Sequence, residues 1–208
     1  MAQIKVSSGG AVTTREFDEK VFGERVLGRT LKEALVMYEA NQRAGTANTR
    51  ERGDVAGPNK KLWKQKHTGR ARMGTAKSPL WRGGGKIFGP HPRDYSYHMP
   101  TKARRVALAS ALLSKFQDGE VVQVETFKLD KPSTKAALGV LKAAAAAADT
   151  LVVTETHDPM LVKSLRNVKS ITVRAQADLN AWDVLHRKNL VITAAALEGL
   201  RARFQKQA

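Results

Sequence analysis

The sequence predicts an α/β fold: a mainly parallel sheet with helices on both faces, into which one long, extended, basic loop is inserted. Three observations predict it. After residue 120, short apolar runs of strand length alternate with helical stretches, the order that builds βαβ units and a parallel sheet covered on both faces. Two amphipathic helical segments, 30–43 and 101–116, bracket a stretch with no apolar repeat of either strand or helix period. That stretch also carries most of the net charge.

Taken in order, Gln3 to Val6 and Val12 to Thr14 around Ser8-Gly9-Gly10 read as a small hairpin. Thr30 to Arg43 repeats Leu31, Ala34, Leu35 and Tyr38 at helical spacing, with Gly45 just beyond the end. Thr101 to Phe116 places Val106, Ala109, Leu112, Leu113 and Phe116 on one helix face, and Asp118-Gly119 stops it. Strands follow at Val121–Val124, Thr150–Thr154, Ile171–Val173 and Leu190–Thr193. The intervening helices run from Ser133 to Ala148 with Ser133 as N-cap, from Pro159 to Asn167 with Asp158 capping, and from Asn180 to Arg187; a last helix runs from Ala194 to Phe204. The alanines 143–148 fall inside a helical frame and read as helix. The organisation is one α/β domain over residues 1–208, with an inserted loop over 45–100.

The chain has 208 residues, 36 Lys plus Arg against 19 Asp plus Glu, and no Cys. The 42% hydrophobic fraction is enough for a core. No run approaches the roughly 18 consecutive apolar residues that a membrane helix needs, and the first residues lack the charged and apolar regions of a signal peptide. A soluble, intracellular protein without a transmembrane span is expected. Absence of Cys excludes disulfides, thiolate metal sites and thiol catalysis. The net charge of +17 calls for a polyanionic partner, which at this level is RNA, DNA or an acidic membrane. Its distribution is uneven. Residues 43–105 hold 16 Lys or Arg against Glu51, Asp54 and Asp94, an excess of 13, and the other 145 residues hold an excess of only 4.

An α/β sheet invites a nucleotide-enzyme reading, but the chemistry is missing. No βα junction between 121 and 208 carries G-x-G-x-x-G, so the layers are Rossmann-like without the dinucleotide fingerprint. The run from Gly69 to Ser78 imitates a phosphate-binding loop, but two extra residues separate Gly74 from Lys77-Ser78 and no strand precedes it. The five histidines form no i, i+4 pair, and no serine sits on a nucleophile elbow. No catalytic residue, metal or other cofactor is expected. No helix-turn-helix is evident either, which weighs against a DNA-binding regulator.

The loop's densest part is Lys60-Lys61-Leu62-Trp63-Lys64-Gln65-Lys66-His67-Thr68-Gly69-Arg70-Ala71-Arg72-Met73-Gly74, continuing through Lys77-Ser78-Pro79-Leu80-Trp81-Arg82-Gly83-Gly84-Gly85-Lys86 to Arg93. Its cations neutralise phosphates, Trp63 and Trp81 offer faces for unstacked bases, and its glycines let backbone approach a sugar–phosphate surface. With so little apolar surface, the loop is expected to order on its partner. A plain localisation signal needs only a short Lys/Arg cluster, not tryptophans and glycines spread along 55 residues.

These residues carry a resemblance. Lys60-Lys61-x-Trp63-Lys64-Gln65-Lys66-x-Thr68-Gly69-Arg70-Ala71-Arg72-x-Gly74, followed by Lys77-Ser78-Pro79-x-Trp81-Arg82-Gly83-Gly84, is similar to the family of large-subunit ribosomal protein four in its bacterial form. The order of elements matches over essentially the whole chain. The resemblance implies a structural constituent of the large ribosomal subunit that binds its rRNA early in assembly. It implies a loop that contacts several rRNA domains and lines part of the nascent-peptide exit tunnel. Partners would be that rRNA, neighbouring large-subunit proteins and the nascent peptide, with no membrane and no homo-oligomer, and the location would be cytoplasmic, in the large ribosomal subunit. Carried over by position, Lys64, Lys66 and His67 lie at the tip and tunnel wall. The implied rRNA contacts are Lys60, Lys61, Trp63, Lys64, Gln65, Lys66, Thr68, Gly69, Arg70, Arg72, Lys77, Ser78, Trp81, Arg82, Lys86 and Arg93. Substitutions at the position of Lys66 are associated in the family with macrolide resistance, and in some bacteria a member represses its own operon. Three tip residues depart from the pattern: Leu62 where Pro is usual, Lys64 where Arg is common, and His67 where Gly is usual. Lys keeps the charge but loses the planar fork, and at His67 the backbone turn is expected to differ.

Overall fold

The computed structural model describes residues 2–8, 11–127, 129, 131–144 and 149–205. The chain divides into two compact units, one formed by residues 1–39 with 98–208 and the other by residues 40–97. The first is a six-stranded sheet with helices on both faces. Its strands are β1 (Ala2–Ser8), β2 (Ala11–Phe17), β3 (Val121–Val124), β4 (Thr150–Thr154), β5 (Ile171–Ala175) and β6 (Asn189–Thr193), in the order β2-β1-β3-β6-β4-β5. All neighbours are parallel except the edge pair β1–β2, whose antiparallel register runs from Ala2 opposite Phe17 to Ser8 opposite Ala11. The hairpin strands are thus longer than expected; the Gly9-Gly10 turn lies outside the described residues.

Alternation along the buried strands assigns the two faces. Leu151 and Val153 of β4, and Leu190 and Ile192 of β6, enter one core. Val152 and Val191, with Val122 and Val124 of β3, enter the other. Over the first face lie α1 (Gly28–Asn41), α2 (Thr101–Gln117), α5 (Ala181–His186) and α6 (Ala194–Gln205); over the second lie α3 (Thr134–Ala143) and α4 (Pro159–Leu165). A short 3-10 helix at Glu19–Phe22, not expected from the sequence although Asp18 caps it and Gly23 follows it, brings Phe22 into the first core. There Phe22 lies 5.2 Å from Phe116 and 5.5 Å from Phe204, and Phe17 lies 5.0 Å from Phe116, ring centre to ring centre. Each such pair adds about 0.5–1.5 kcal/mol beyond area burial, and together they bind the antiparallel edge to the helical layer.

The two expected caps form: Ser133 Oγ accepts from Ala136 N, and Asp158 from Met160 N and Leu161 N. Asn180, expected as the first residue of its helix, instead caps it and accepts from Asp183 N. Several details differ. Helix α1 lies two residues earlier than expected and buries Ala34 and Met37, with Leu31 and Tyr38 partly covered. Val106 of α2 is exposed; the buried arc is Ala107, Leu108, Ala111, Leu112, Leu113 and Phe116, wider than one stripe because α2 packs on β1, α5 and the 3-10 helix together. Helix α3 ends at Ala143 with Ala144 as its C-cap, and Ala145–Ala148 lie outside the described residues. Helix α4 ends at Leu165, two residues short of the expected Asn167.

Two polar staples join element ends. Lys115, at the end of α2, is buried and paired with Glu120, and its Nζ donates to Lys188 O at 2.8 Å. Leu190 N donates to Glu120 O, so the staple fixes where α2, β3 and β6 meet. Arg187 donates to Thr172 Oγ1, Asp149 Oδ1 and Lys169 O. That guanidinium, helped by Lys188 N, holds the Asp149 carboxyl below its usual range. A lowered folded pKa means this staple contributes fully above the ordinary carboxylate range and is lost as pH falls below that range through the lowered folded pKa. Among the described residues no helix is long and apolar enough to cross a membrane, and no group of three or more His, Asp or Glu could hold a metal ion.

Lys115→Ala leaves Glu120 facing a buried gap and is expected to lower the unfolding free energy by on the order of 3 kcal/mol. Urea melts of the full chain measure this; a loss under 1 kcal/mol would contradict the staple.

Candidate nucleic-acid interface

In a doubly wound sheet, nucleotide ligands bind at the carboxyl ends of the strands. Here that crevice, between the ends of β3, β4 and β6, is a shallow cavity of about 230 Å³ lined by Glu125, Thr126, Phe127, Thr154, Glu155, Thr156, Asp158, Thr193 and Ala195. Three carboxylates line it, with neither glycine nor cation, which repels a phosphate. The concentrated positive charge lies instead in the second unit.

Residues 40–97 contain neither helix nor strand beyond the last turn of α1, yet they are tied together by their own hydrogen bonds. The outgoing and returning limbs meet in four places. Asn41 exchanges bonds with the Tyr97 backbone through both side-chain amide atoms. Arg93 N donates to Gly45 O, Thr49 N to Pro90 O, and Lys86 N to Arg50 O. Gly45 is required there: its φ is +64°, and a Cβ would come within 2.0 Å of Arg93 O.

Beyond this neck, two smaller turns form. In the first, Leu62 N donates to Gly74 O, and Trp63 Nε1 donates to Ala71 O at 2.9 Å. Arg70 lies 5.7 Å over the Trp63 ring, and Lys61 bonds Gln65. His67 and Gly69 both have φ of +65°. At His67 the tip therefore keeps a backbone shape that glycine favours, at a cost near 1–2 kcal/mol for a residue with a Cβ. In the second turn, Trp81 N donates to Ser78 O, Gly84 N to Trp81 O, and Gly85 N to Lys77 O.

The expected site residues thus fall into three groups. Lys60, Lys61, Lys64, Gln65, Lys66, His67, Gly69, Arg70 and Arg72 are exposed around the first turn, with Trp63 and Thr68 half-buried. Trp81, Arg82 and Lys86 are exposed on the second, with Lys77 and Ser78 half-buried. Arg93 stands in the neck. Its guanidinium lies 4.2 Å from the centre of the Tyr95 ring, and that of Arg43 lies 3.7 Å from it. Sequence reasoning missed Arg43 and Tyr95; an aromatic two residues from Arg93 was the available signal. The three acids are turned to internal bonds. Glu51 lies 3.1 Å from His91 Nε2, Asp54 accepts from Glu51 N, and Asp94 accepts from Ser96 N and Oγ, which lowers its pKa. Among the described residues, no Lys or Arg between 40 and 97 is paired with a carboxylate. The arrangement presents uncompensated, solvated cations on a backbone held by neutral hydrogen bonds, a surface suited to binding a polyanion.

Comparison with known proteins identifies a family. Residues 15–203 match the model of the ribosomal protein L4/L1 family. Over 189 residues the chain is 44% identical to the large ribosomal subunit protein uL4 of Symbiobacterium thermophilum and 45% identical to that of Moorella thermoacetica, covering 91% of each chain in both cases. Over 206 residues it is 44% identical to the corresponding protein of Desulfatibacillum aliphaticivorans, covering 98% of this chain and 99% of that one.

The neck makes a spectroscopic prediction. The Arg93 guanidinium, as a hydrogen-bond donor and then as a charge, lowers the pKa of the Tyr95 phenol, with a smaller contribution from Arg43. Cations favour the phenolate, so Arg93→Gln is expected to move one of the three tyrosines back up toward the ordinary phenol range. Ultraviolet titration follows it; an unchanged curve would mean that the sandwich does not form.

Proposed function

The chain belongs to the ribosomal protein L4/L1 family, and on that premise we propose that residues 40–97 are its rRNA-binding element. The family makes it a structural constituent of the large ribosomal subunit, not an enzyme. The finer reading is that the protein binds large-subunit rRNA early in assembly. Its basic unit neutralises phosphates where several RNA domains meet and holds them together. Lys64, Lys66 and His67, at the left-handed tip, line part of the nascent-peptide exit tunnel, and neighbouring large-subunit proteins complete its surroundings. Repression of its own operon would call on the same RNA-binding surface.

One observation carries this reading. Ten of the seventeen excess positive charges sit in one unit, residues 40–97, and that unit's carboxylates are occupied by its own backbone and His91 while its cations, the half-buried Lys77 excepted, face solvent. A surface of that kind gains from counterion release when it meets a dense array of phosphates. The acidic crevice at the carboxyl ends of the strands supports the same choice over a nucleotide-binding enzyme.

Replacing residues 57–92 by a short Gly/Ser linker tests it. The α/β unit should keep near-native circular dichroism and a cooperative melt, because its core takes no residue from that segment. Affinity for transcribed large-subunit rRNA should collapse. The segment removes nine cations. If half of them contact phosphates, the slope of log affinity against log salt flattens by about 3–4. Unchanged affinity and slope would sink the proposal. Lys66→Glu should change the macrolide sensitivity of ribosomes while leaving the melting temperature of the protein within about a degree, since an exposed substitution costs about 0.5 kcal/mol or less. Equal drug response in mutant and parent would count against the tunnel position.

A further inference from the structure

Five aromatic side chains lie between residues 40 and 97, and the unit treats them unequally. Tyr95 is covered on its ring by Arg43 and Arg93. Trp63 is half-buried, its indole N–H spent on Ala71 O and its ring approached by Arg70. Trp81 and Tyr97 have more than half their surface covered. Phe88 differs: it is 98% exposed, with both ring faces open.

Its position does not result from a loose chain. Lys86 N donates to Arg50 O at 2.9 Å on one side of it, and Thr49 N donates to Pro90 O at 3.0 Å on the other. Gly89, next to it, closes so tightly on Thr49 that a Cβ would come within 1.8 Å of Thr49 Oγ1. Backbone bonds on both sides therefore hold the Phe88 backbone in a short pinned turn, from which its ring projects into solvent. The charged residues at that turn are Arg50, Arg52, Lys86 and Glu51, and Glu51 is engaged with His91. An apolar ring left in water forgoes its burial free energy. A ring rigidly presented among cations, with no carboxylate left unengaged, is suited to a ligand that is flat and apolar on its face and anionic at its edge. An unstacked nucleotide base of RNA has that chemistry; an apolar protein surface has the first property without the second.

We propose that Phe88 is a base-stacking site: an unpaired rRNA base lies on its ring while Arg50 and Lys86 take the adjoining phosphates. This deepens the rRNA-binding reading and rests on it.

The test measures binding of the full chain and its Phe88→Ala, Phe88→Leu and Phe88→Trp variants to transcribed large-subunit rRNA across a salt series. Because Phe88 supports nothing in the protein, all four should melt alike. Loss of a stacked base should weaken Phe88→Ala by roughly 5- to 150-fold at every salt concentration, with the salt slope unchanged because no cation is lost. Phe88→Trp should bind as well as the parent, and Phe88→Leu should stay close to alanine. Equal binding by Phe88→Ala overturns the stacking site while leaving the rRNA reading intact. Full rescue by Phe88→Leu also overturns it, because an apolar plug would then suffice and a protein surface would be the better occupant. Failure of the parent chain to bind this rRNA, with no salt dependence, overturns both.

Discussion

Thirteen Lys and Arg side chains share residues 40–97 with three acids, and their mutual repulsion is the constraint around which this molecule is arranged. Such a segment cannot be held by ion pairs, since it lacks the carboxylates, nor by a core, since it has few apolar residues. What holds it is neutral: backbone N–H to carbonyl bonds at the neck, an Asn41 amide bridging to Tyr97, and glycines where the limbs come too close for a side chain. The few acids are used locally, to brace turns, and Tyr95 uses its π face to hold two cations that would otherwise repel. The remaining charge is left for a partner. Neutral bonds shape the surface and the partner supplies the counter-charge.

The α/β unit obeys different physics. Its six-stranded sheet is built by alternating Val, Leu and Ile on buried strands, a phenylalanine cluster, and three side-chain caps. Two of its ion pairs, Lys115–Glu120 and Arg187–Asp149, sit at element junctions, away from any binding cleft. The acids around Glu125, Glu155 and Asp158 occupy the place where a related architecture would hold a nucleotide. The fold resembles an enzyme scaffold, but carboxylates line its crevice, and the unpaired, exposed cations lie in the other unit.

Much of this was legible in the sequence. Strands β3 and β4 are short and rich in Val, and their expected bounds match to the residue. Ser133 and Asp158 announced helix starts because capping is a local interaction. The excess charge located the second unit. The parts that were not legible depend on contacts between residues distant in sequence. Val106 faces water because three elements pack α2 from other sides, which helix periodicity cannot show. The neck escaped notice because backbone pairing between residues near 45 and near 93 leaves no apolar pattern. Trp63 appeared open on composition alone, but its N–H finds Ala71 within the same turn. The isolation of Phe88 can be seen only once Thr49 and Pro90 are known to pair.

The central claim is that the second unit, not the sheet, meets the RNA. Ultraviolet cross-linking of assembled large subunits, followed by mass spectrometry of the RNA-linked peptides from this chain, addresses it most directly. The account predicts that cross-links concentrate between residues 43 and 93, with few between 121 and 205. Cross-links mainly to the α/β unit, with the basic segment unmarked, would contradict it.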